Sequence, residues 1–247
     1  QKNLKFFLSK KILDVFIEAS SIGIVQGRLV GCYIKTAVFT NLGHDHLDFH
    51  GNLENLAKAK ALLFTTLGLE KVVCLREKSE KDFPYKLIYK EIKKVEKKLF
   101  VDVNSKNSKF FEGIILKSFS FDEKGTQVQL VEAANETNKF TIPVIGEHNL
   151  ENAALLAGLL RIHKLKINQI TKNLKQFKLP EGRLQFISKP NFPLVCIDYA
   201  HCPESMKIVL TTLLNLSNKR NGELICVFGC GGNRDRSKRS KIGSIVS

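Results

Sequence analysis

Apolar and polar positions divide the chain into three stretches of different texture. In residues 1–70, strand-like and helix-like patterns alternate: DVFIEAS reads as a buried strand ending in a polar turn and TAVFTN as another. Asn52 to Leu67 reads as a helix. Residues 71–145 carry short β-like runs (KVVCL, TQVQLVEA, FTIPVIG) separated by lysine-rich sequence. From Asn149, a plausible N-cap, the pattern turns helical through ENAALLAGLLRIHKL.

LPEGR, at 179–183, reads as a connector. Beyond it, LVCIDYA and LICVFGCGG are candidate buried strands with the helical stretch PESMKIVLTTLLNL between them. Strand, helix and strand at that spacing predict a βαβ unit in a parallel sheet. Two strands make too small a sheet to stand alone, so this last domain reads as truncated. The fold class expected is α/β.

Composition narrows the possibilities. A 247-residue chain with 43% hydrophobic content can bury a real core in one large or two smaller domains. No run reaches the roughly 18 to 20 uncharged apolar residues of a membrane span, and the charged N-terminal stretch QKNLKFFLSKKILDVF makes a poor signal peptide. A cytoplasmic protein without a membrane partner is expected. Six dispersed cysteines, none in C-x-x-C spacing, read as reduced side chains used as small hydrophobes. The net charge of +15 attracts anions. Its lysines are spread out, however, and no aromatic-interleaved basic patch or nucleic-acid-binding motif accompanies them, so nucleic acid is not expected as a partner.

Several residues carry candidate chemistry. On a helix, Leu53, Leu56, Leu63, Phe64 and Leu67 fall within about 60° of Lys60, with Lys58 nearly opposite. A lysine on an apolar face is costly unless it is paired, chemically changed or snorkelling along the surface. Upstream, GHDHLDFHG interleaves His44, His46 and His50 with Asp45 and Asp48. This is either a metal site or a polar loop bonded to itself. Glu18 is a further oxygen donor, and oxygen donors with one imidazole suit magnesium. FGCGGNRDRSKR follows a strand-like run with a glycine-rich turn and the cations Arg234, Arg236, Lys238 and Arg239, which could neutralise phosphate. No G-x-x-x-x-G-K-[ST] phosphate loop occurs.

Taken together, these segments resemble the Mur ligase family, and within it the tripeptide synthetases. IEASSIGIVQGR, TNLGHDHLDFHG, AKALLF, GEHNLENAALLAG, LPEGRLQFI, DYAHCPESM and VFGCGGNRDRSKR follow one another in the order that family shows. The resemblance implies a central ATP- and magnesium-binding domain over 1–180, lacking its P-loop, and the start of a Rossmann-like C-terminal ligase domain over 181–247. It implies Glu18, His46 and a carbamylated Lys60 as magnesium ligands. Ser20, Gln26 and Arg28 would contact the UDP-MurNAc-dipeptide. Asn149, Asn152, Arg183 and Asp198 would contact ATP, and His148 fits the same motif more loosely. The implied partners are that nucleotide, ATP and a diamino acid, either meso-diaminopimelate or L-lysine. The implied reaction forms an amide through an acyl phosphate.

The departures matter equally. A uridine-nucleotide domain, the P-loop and a DNPR-like segment expected to read the amino acid do not occur. Ile22 replaces a histidine, and Gly43-His44 replaces a serine-arginine pair. The chain alone is therefore expected to lack ligase activity. Folylpolyglutamate synthase, which shares DHLD- and DYAH-like elements, is the nearest rival, and a non-catalytic remnant of the family is another reading. EASS…VQGR and GCGGNRDR favour the tripeptide synthetase over the rival.

Overall fold

The computed structural model describes residues 2–43, 46–76, 83–104, 113–132, 135–189, 191–230 and 237–247. At its centre, β1 (Thr36–Phe39), β2 (Lys71–Leu75), β3 (Lys97–Val103) and β4 (Gly113–Asp122) pair in parallel in that order. The sheet then turns antiparallel: β4 pairs β5 (Gly125–Glu132), which pairs β6 (Asn135–Glu136) and β7 (Phe140–Ile142). The α/β class expected from the sequence is thus observed, as a mixed sheet.

Period-2 alternation explains how this sheet is covered on both faces. Ala37, Phe39, Val72 and Cys74 point into one core. Its helical wall is α4 (Leu53–Ala61), the 3-10 turn Leu62–Thr65 and α5 (Phe83–Ile92). Val73, Leu75 and Val101 point the other way, towards α6 (Glu147–Ile162) and α7 (Ile167–Lys175). Because both faces are buried, β2 reads as a continuous apolar run. Helix α6 lies close on the strands because Gly158 has no side chain. A Cβ there would stand 2.5 Å from Val101 Cγ1 and 2.7 Å from Val73 Cγ1.

LPEGR is a turn, with the Arg183 amide donating to the Pro180 carbonyl at 3.2 Å. After it, β8 (Gln185–Ile187) pairs antiparallel with β9 (Val195–Ile197), and α8 (Pro203–Lys219) and α9 (Ser237–Val246) follow. Met206, Val209, Thr212 and Leu216, spaced three or four apart, form the buried stripe of α8. Val209 and Leu216 share a core with Ile145 and Leu184.

Four expectations are corrected. DVFIEAS is not a strand: residues 12–20 are irregular, with Leu13 94% and Phe16 84% exposed. Nor are residues 224–230 of LICVFGCGG, where Ile225 and Val227 are 84% and 94% exposed. The expected parallel βαβ unit is therefore replaced by the β8–β9 antiparallel pair. The physical reason is common to both: an apolar run becomes a buried strand only against ladder partners, and none faces these runs among the described residues. Helix α4 ends at Ala61 and tightens into the 3-10 turn, so Leu67 leaves the Lys60 face and is 71% exposed. Asn149 is not the N-cap of α6. That place belongs to Gly146 at φ +88°, and Asn149 lies buried in the first turn.

Candidate functional site

Two groups of candidate residues are assembled by local structure. The first begins at α2 (Ser21–Val25), whose N-cap is Ser20: its Oγ accepts from the Gly23 amide at 3.1 Å. The turn is tight at Gly23, where a Cβ would stand 3.0 Å from Ser20 Oγ and 3.3 Å from Arg28 Cδ. The turn closes with the Arg28 amide on the Gly23 carbonyl at 2.9 Å, and Arg28 Nη2 donates to Gln26 Oε1 at 2.9 Å. Ser20, Gln26 and Arg28 are thus brought to one exposed turn with donors and acceptors facing solvent.

Helix α2 packs against α4, which carries Lys60. Lys60 is half-buried, and its Nζ donates to the Asn41 carbonyl at 3.0 Å. Lys58 is exposed and paired with Glu54 at 2.7 Å, as a solvated lysine on the opposite face should be. Between the two elements stands α3 (Leu47–His50). Its N-cap, His46, has φ +67°, a left-handed conformation uncommon for a residue with a side chain and enriched where function constrains the backbone. His50 turns inward: it is 9% exposed and its Nε2 lies 2.9 Å from Ser21 Oγ. Burial holds the His50 pKa below the usual value, His46 and Lys60 lower it further, and Asp48 opposes. The charges of His46, Asp48 and Lys60 therefore all reach this imidazole.

The histidine cluster is accordingly split. His44 and Asp45 lie outside the described residues, His50 serves a buried contact, and His46 and Asp48 face outward. Glu18 is exposed in the irregular segment before Ser20. Among the described residues no three His, Cys, Asp or Glu side chains converge as a metal site. An ammonium on Lys60 is a donor and not a ligand, so Glu18, His46 and Lys60 in this form do not fit a divalent cation.

The second group surrounds the entry to α6 and the connector. Asn149, 4% exposed, donates through Nδ2 to the Ile145 carbonyl at 2.9 Å, while Asn152 is exposed one turn on. Asp198, just after β9, accepts from the Leu184 amide at 2.8 Å and the Ala200 amide at 2.7 Å. It thereby staples the connector to the loop after β9. Leu184 itself is buried and held at φ +41°. The Arg183 guanidinium lies 5.1 Å from the Tyr199 ring centroid, and Tyr199 meets His201 edge-on at 5.1 Å. His148 Nδ1 is buried and has no hydrogen-bond partner among the described residues. Desolvation lowers the His148 pKa, against the pull of Asp198 and with the help of Arg183. The charges of Asp198 and Arg183 therefore both reach the His148 imidazole.

Sequence reasoning missed the Ser21–His50 contact and the ring of Tyr199, although both residues lie inside the quoted motifs. Of the glycine-rich segment, Gly231, Gly232, Arg234 and Arg236 lie outside the described residues, and Lys238 and Arg239 open α9. The cysteines are free, and burial pushes the Cys74 and Cys196 thiols up to about 12. Cysteines in that state are unreactive apolar side chains. No helix of the described residues is long and apolar enough to cross a membrane.

The chain is similar to known proteins along most of its length. Residues 1–160 match the Mur ligase middle domain, and residues 182–247 match the Mur ligase glutamate ligase domain. UDP-N-acetylmuramoyl-L-alanyl-D-glutamate--2,6-diaminopimelate ligase of Janthinobacterium sp. (strain Marseille) is 34% identical over 232 residues, covering 93% of this chain and 45% of the relative. Its namesake in Pseudomonas aeruginosa is 35% identical over 232 residues, covering 94% and 45%. A solved structure of a ligase of that name is 30% identical with a TM-score of 0.63, covering 93% of this chain and 45% of the other. A folylpolyglutamate synthase of Mycobacterium tuberculosis is 21% identical with a TM-score of 0.56, covering 73% and 39%. That likeness shows the fold alone, so the rival reading is the weaker fit. This chain spans about half the length of the curated relatives it matches. From the paired domain matches and the identity along nearly all of its residues, the chain belongs to the Mur ligase family.

Proposed function

We propose that this chain forms the middle and C-terminal part of a ligase that joins 2,6-diaminopimelate to the D-glutamate of UDP-MurNAc-L-Ala-D-Glu. The observation that carries the reading is the docking of the Ser20–Arg28 turn on the helix of Lys60, in a chain whose relatives bear that ligase's name. Residues 1–180 would be the central domain and 181–247 the ligase domain. The setting would be peptidoglycan synthesis in the cytoplasm.

In this reading, Arg28 and Gln26 hold anionic and carbonyl groups of the UDP-MurNAc-dipeptide, and Ser20 offers its hydroxyl beside them. Asn152, Arg183 and Asp198 would face ATP, while Asn149, buried and bonded to the Ile145 carbonyl, would act by holding the start of α6 in place, with His148 beside it in sequence. The free γ-carboxylate of D-glutamate takes the terminal phosphoryl group of ATP, giving an acyl phosphate and ADP. The diaminopimelate amine then attacks the acyl carbon, phosphate leaves with the electron pair of the broken C–O bond, and the amine sheds its proton. A carbamate on Lys60 would replace the ammonium with an anionic oxygen pair, and only in that form do Glu18, His46 and Lys60 suit magnesium. Bound there, the ion would neutralise phosphate charge.

The test is a ligase assay on the complete gene product containing these residues. Diaminopimelate-dependent release of phosphate is the expected result, and Arg28→Ala should raise KM for the UDP-MurNAc-dipeptide roughly 10- to 100-fold, the loss of a charge-assisted hydrogen bond. Preference for L-lysine would overturn the amino acid, and turnover of folate substrates the whole reading. Carbamylation is checked by a bicarbonate-dependent mass gain of one CO2 that Lys60→Met abolishes.

A further inference from the structure

The turn that carries Ser20, Gln26 and Arg28 is short, exposed and preceded by irregular chain. A five-residue helix has little stability of its own. Something must hold it at a fixed distance from Lys60, or the two parts of the site would drift independently. One buried polar contact joins them: Ser21, 3% exposed, meets His50 Nε2 at 2.9 Å across 29 residues of sequence. The backbone of His50 is tied in the other direction, its carbonyl accepting from Asn55 Nδ2 at 3.0 Å. Asn55 in turn gives its amide to the N-cap Asn52 at 2.8 Å, so this second tie reaches the first turn of the helix bearing Lys60.

We propose that His50 is a positioning residue, its imidazole bonded to Ser21 Oγ and locking the Ser20–Arg28 turn against the helices that carry His46 and Lys60. His50 touches no reacting group in this arrangement. It acts through Ser21 on one side and Asn55 on the other. A buried hydroxyl and a buried imidazole each lose their partner if the other is removed, and water reaches neither readily. The importance of this latch for substrate binding rests on the function proposed above, whereas its existence does not.

The experiment is amide hydrogen exchange, resolved by residue, on the 247-residue chain and its variants His50→Ala, Ser21→Ala, the double variant and His50→Gln. The amides read are those of Gly23, Ile24, Gln26 and Arg28, all hydrogen-bonded within the turn. Each single alanine variant is expected to speed their exchange roughly tenfold or more. The double variant should add little further, because both changes remove one bond. Strands β2 and β5 should exchange as before. His50→Gln, whose terminal amide can reach the place of Nε2, should restore most of the protection. Ser21→Ala keeps the question answerable if His50→Ala fails to fold. Unchanged exchange in the turn, additive effects, or equal acceleration in β2 and β5 would each overturn the latch. None of these readouts needs a ligand. If the turn loosens as expected while the wild-type ligase ignores UDP-MurNAc-L-Ala-D-Glu, the latch stands and the substrate reading falls.

Discussion

At the scale of single residues, the side chains with the sharpest geometry are those whose partners are backbone groups. Asp198 gives one carboxylate oxygen to the Leu184 amide and the other to the Ala200 amide. Asparagine keeps one acceptor and turns a donor towards the second amide. Asp198→Asn should therefore lower stability by about 1–2 kcal/mol, measured by urea unfolding. Leu184, at φ +41°, should become more mobile in the same variant. His148 makes a different prediction. Its imidazole, with Nδ1 buried and unbonded among the described residues, has its pKa lowered in the fold, so the unfolded chain binds its proton more readily. The stability this group contributes is fully present above the unfolded value of about 6.5 and is lost as pH falls from there towards the lower folded value. Thermal unfolding between about pH 7.5 and 5.5 should show that slope, and His148→Asn should reduce it to the part that His50, also lowered by burial, contributes.

At the scale of elements, Gly158 decides how closely α6 approaches the sheet. Alanine there would gain up to about 1 kcal/mol of helix propensity. It would also press on Val73 and Val101, an overpacking that costs about 1–3 kcal/mol. Because the two contacts are at 2.5 and 2.7 Å, the second effect should win, and Gly158→Ala should unfold at lower denaturant than the parent. The same element shows what could be read in advance. The helix starting near Asn149 was legible from its apolar periodicity, and β2 from its unbroken apolar run. The cap of α6 was not legible, because Gly146 looks like an ordinary loop glycine until its φ is known. Helix α5 and strand β3 stayed hidden because their exposed lysines mask the buried positions. In α5 only Ile88, Tyr89 and Ile92 are buried, and β3 opens with exposed Lys97 and Lys98. DVFIEAS and LICVFGCGG failed for the opposite reason: their apolar character was plain, but pairing is a property of neighbours and not of the run itself. For the candidate site, the turn and the Lys60 helix could be located from motifs. The Ser21–His50 contact, between residues 29 apart, could not.

At the scale of the whole molecule, the two irregular runs hold some of the most exposed apolar side chains. Leu13 and Phe16 in one, and Ile225 and Val227 in the other, are each more than four-fifths exposed. Such surface promotes association. The chain should self-associate in light scattering at high concentration. Phe16→Lys together with Val227→Lys should reduce this without lowering the unfolding midpoint, since neither side chain is packed. The net charge of +15 opposes association through repulsion, so the effect should grow with added salt.

The change of direction within the sheet has a kinetic meaning. Strands β4 and β5 adjoin in sequence and pair antiparallel, so they can meet after closing only a tight turn. The pairing of β1 with β2 and of β2 with β3 must wait for whole helices to cross over. Contacts between near neighbours in sequence form sooner than distant ones. The chain should therefore assemble from its antiparallel side towards β1, with the ladder of β4 and β5 acquiring exchange protection first. The surface that carries the Ser20 turn and Lys60 would then be the last part to become native.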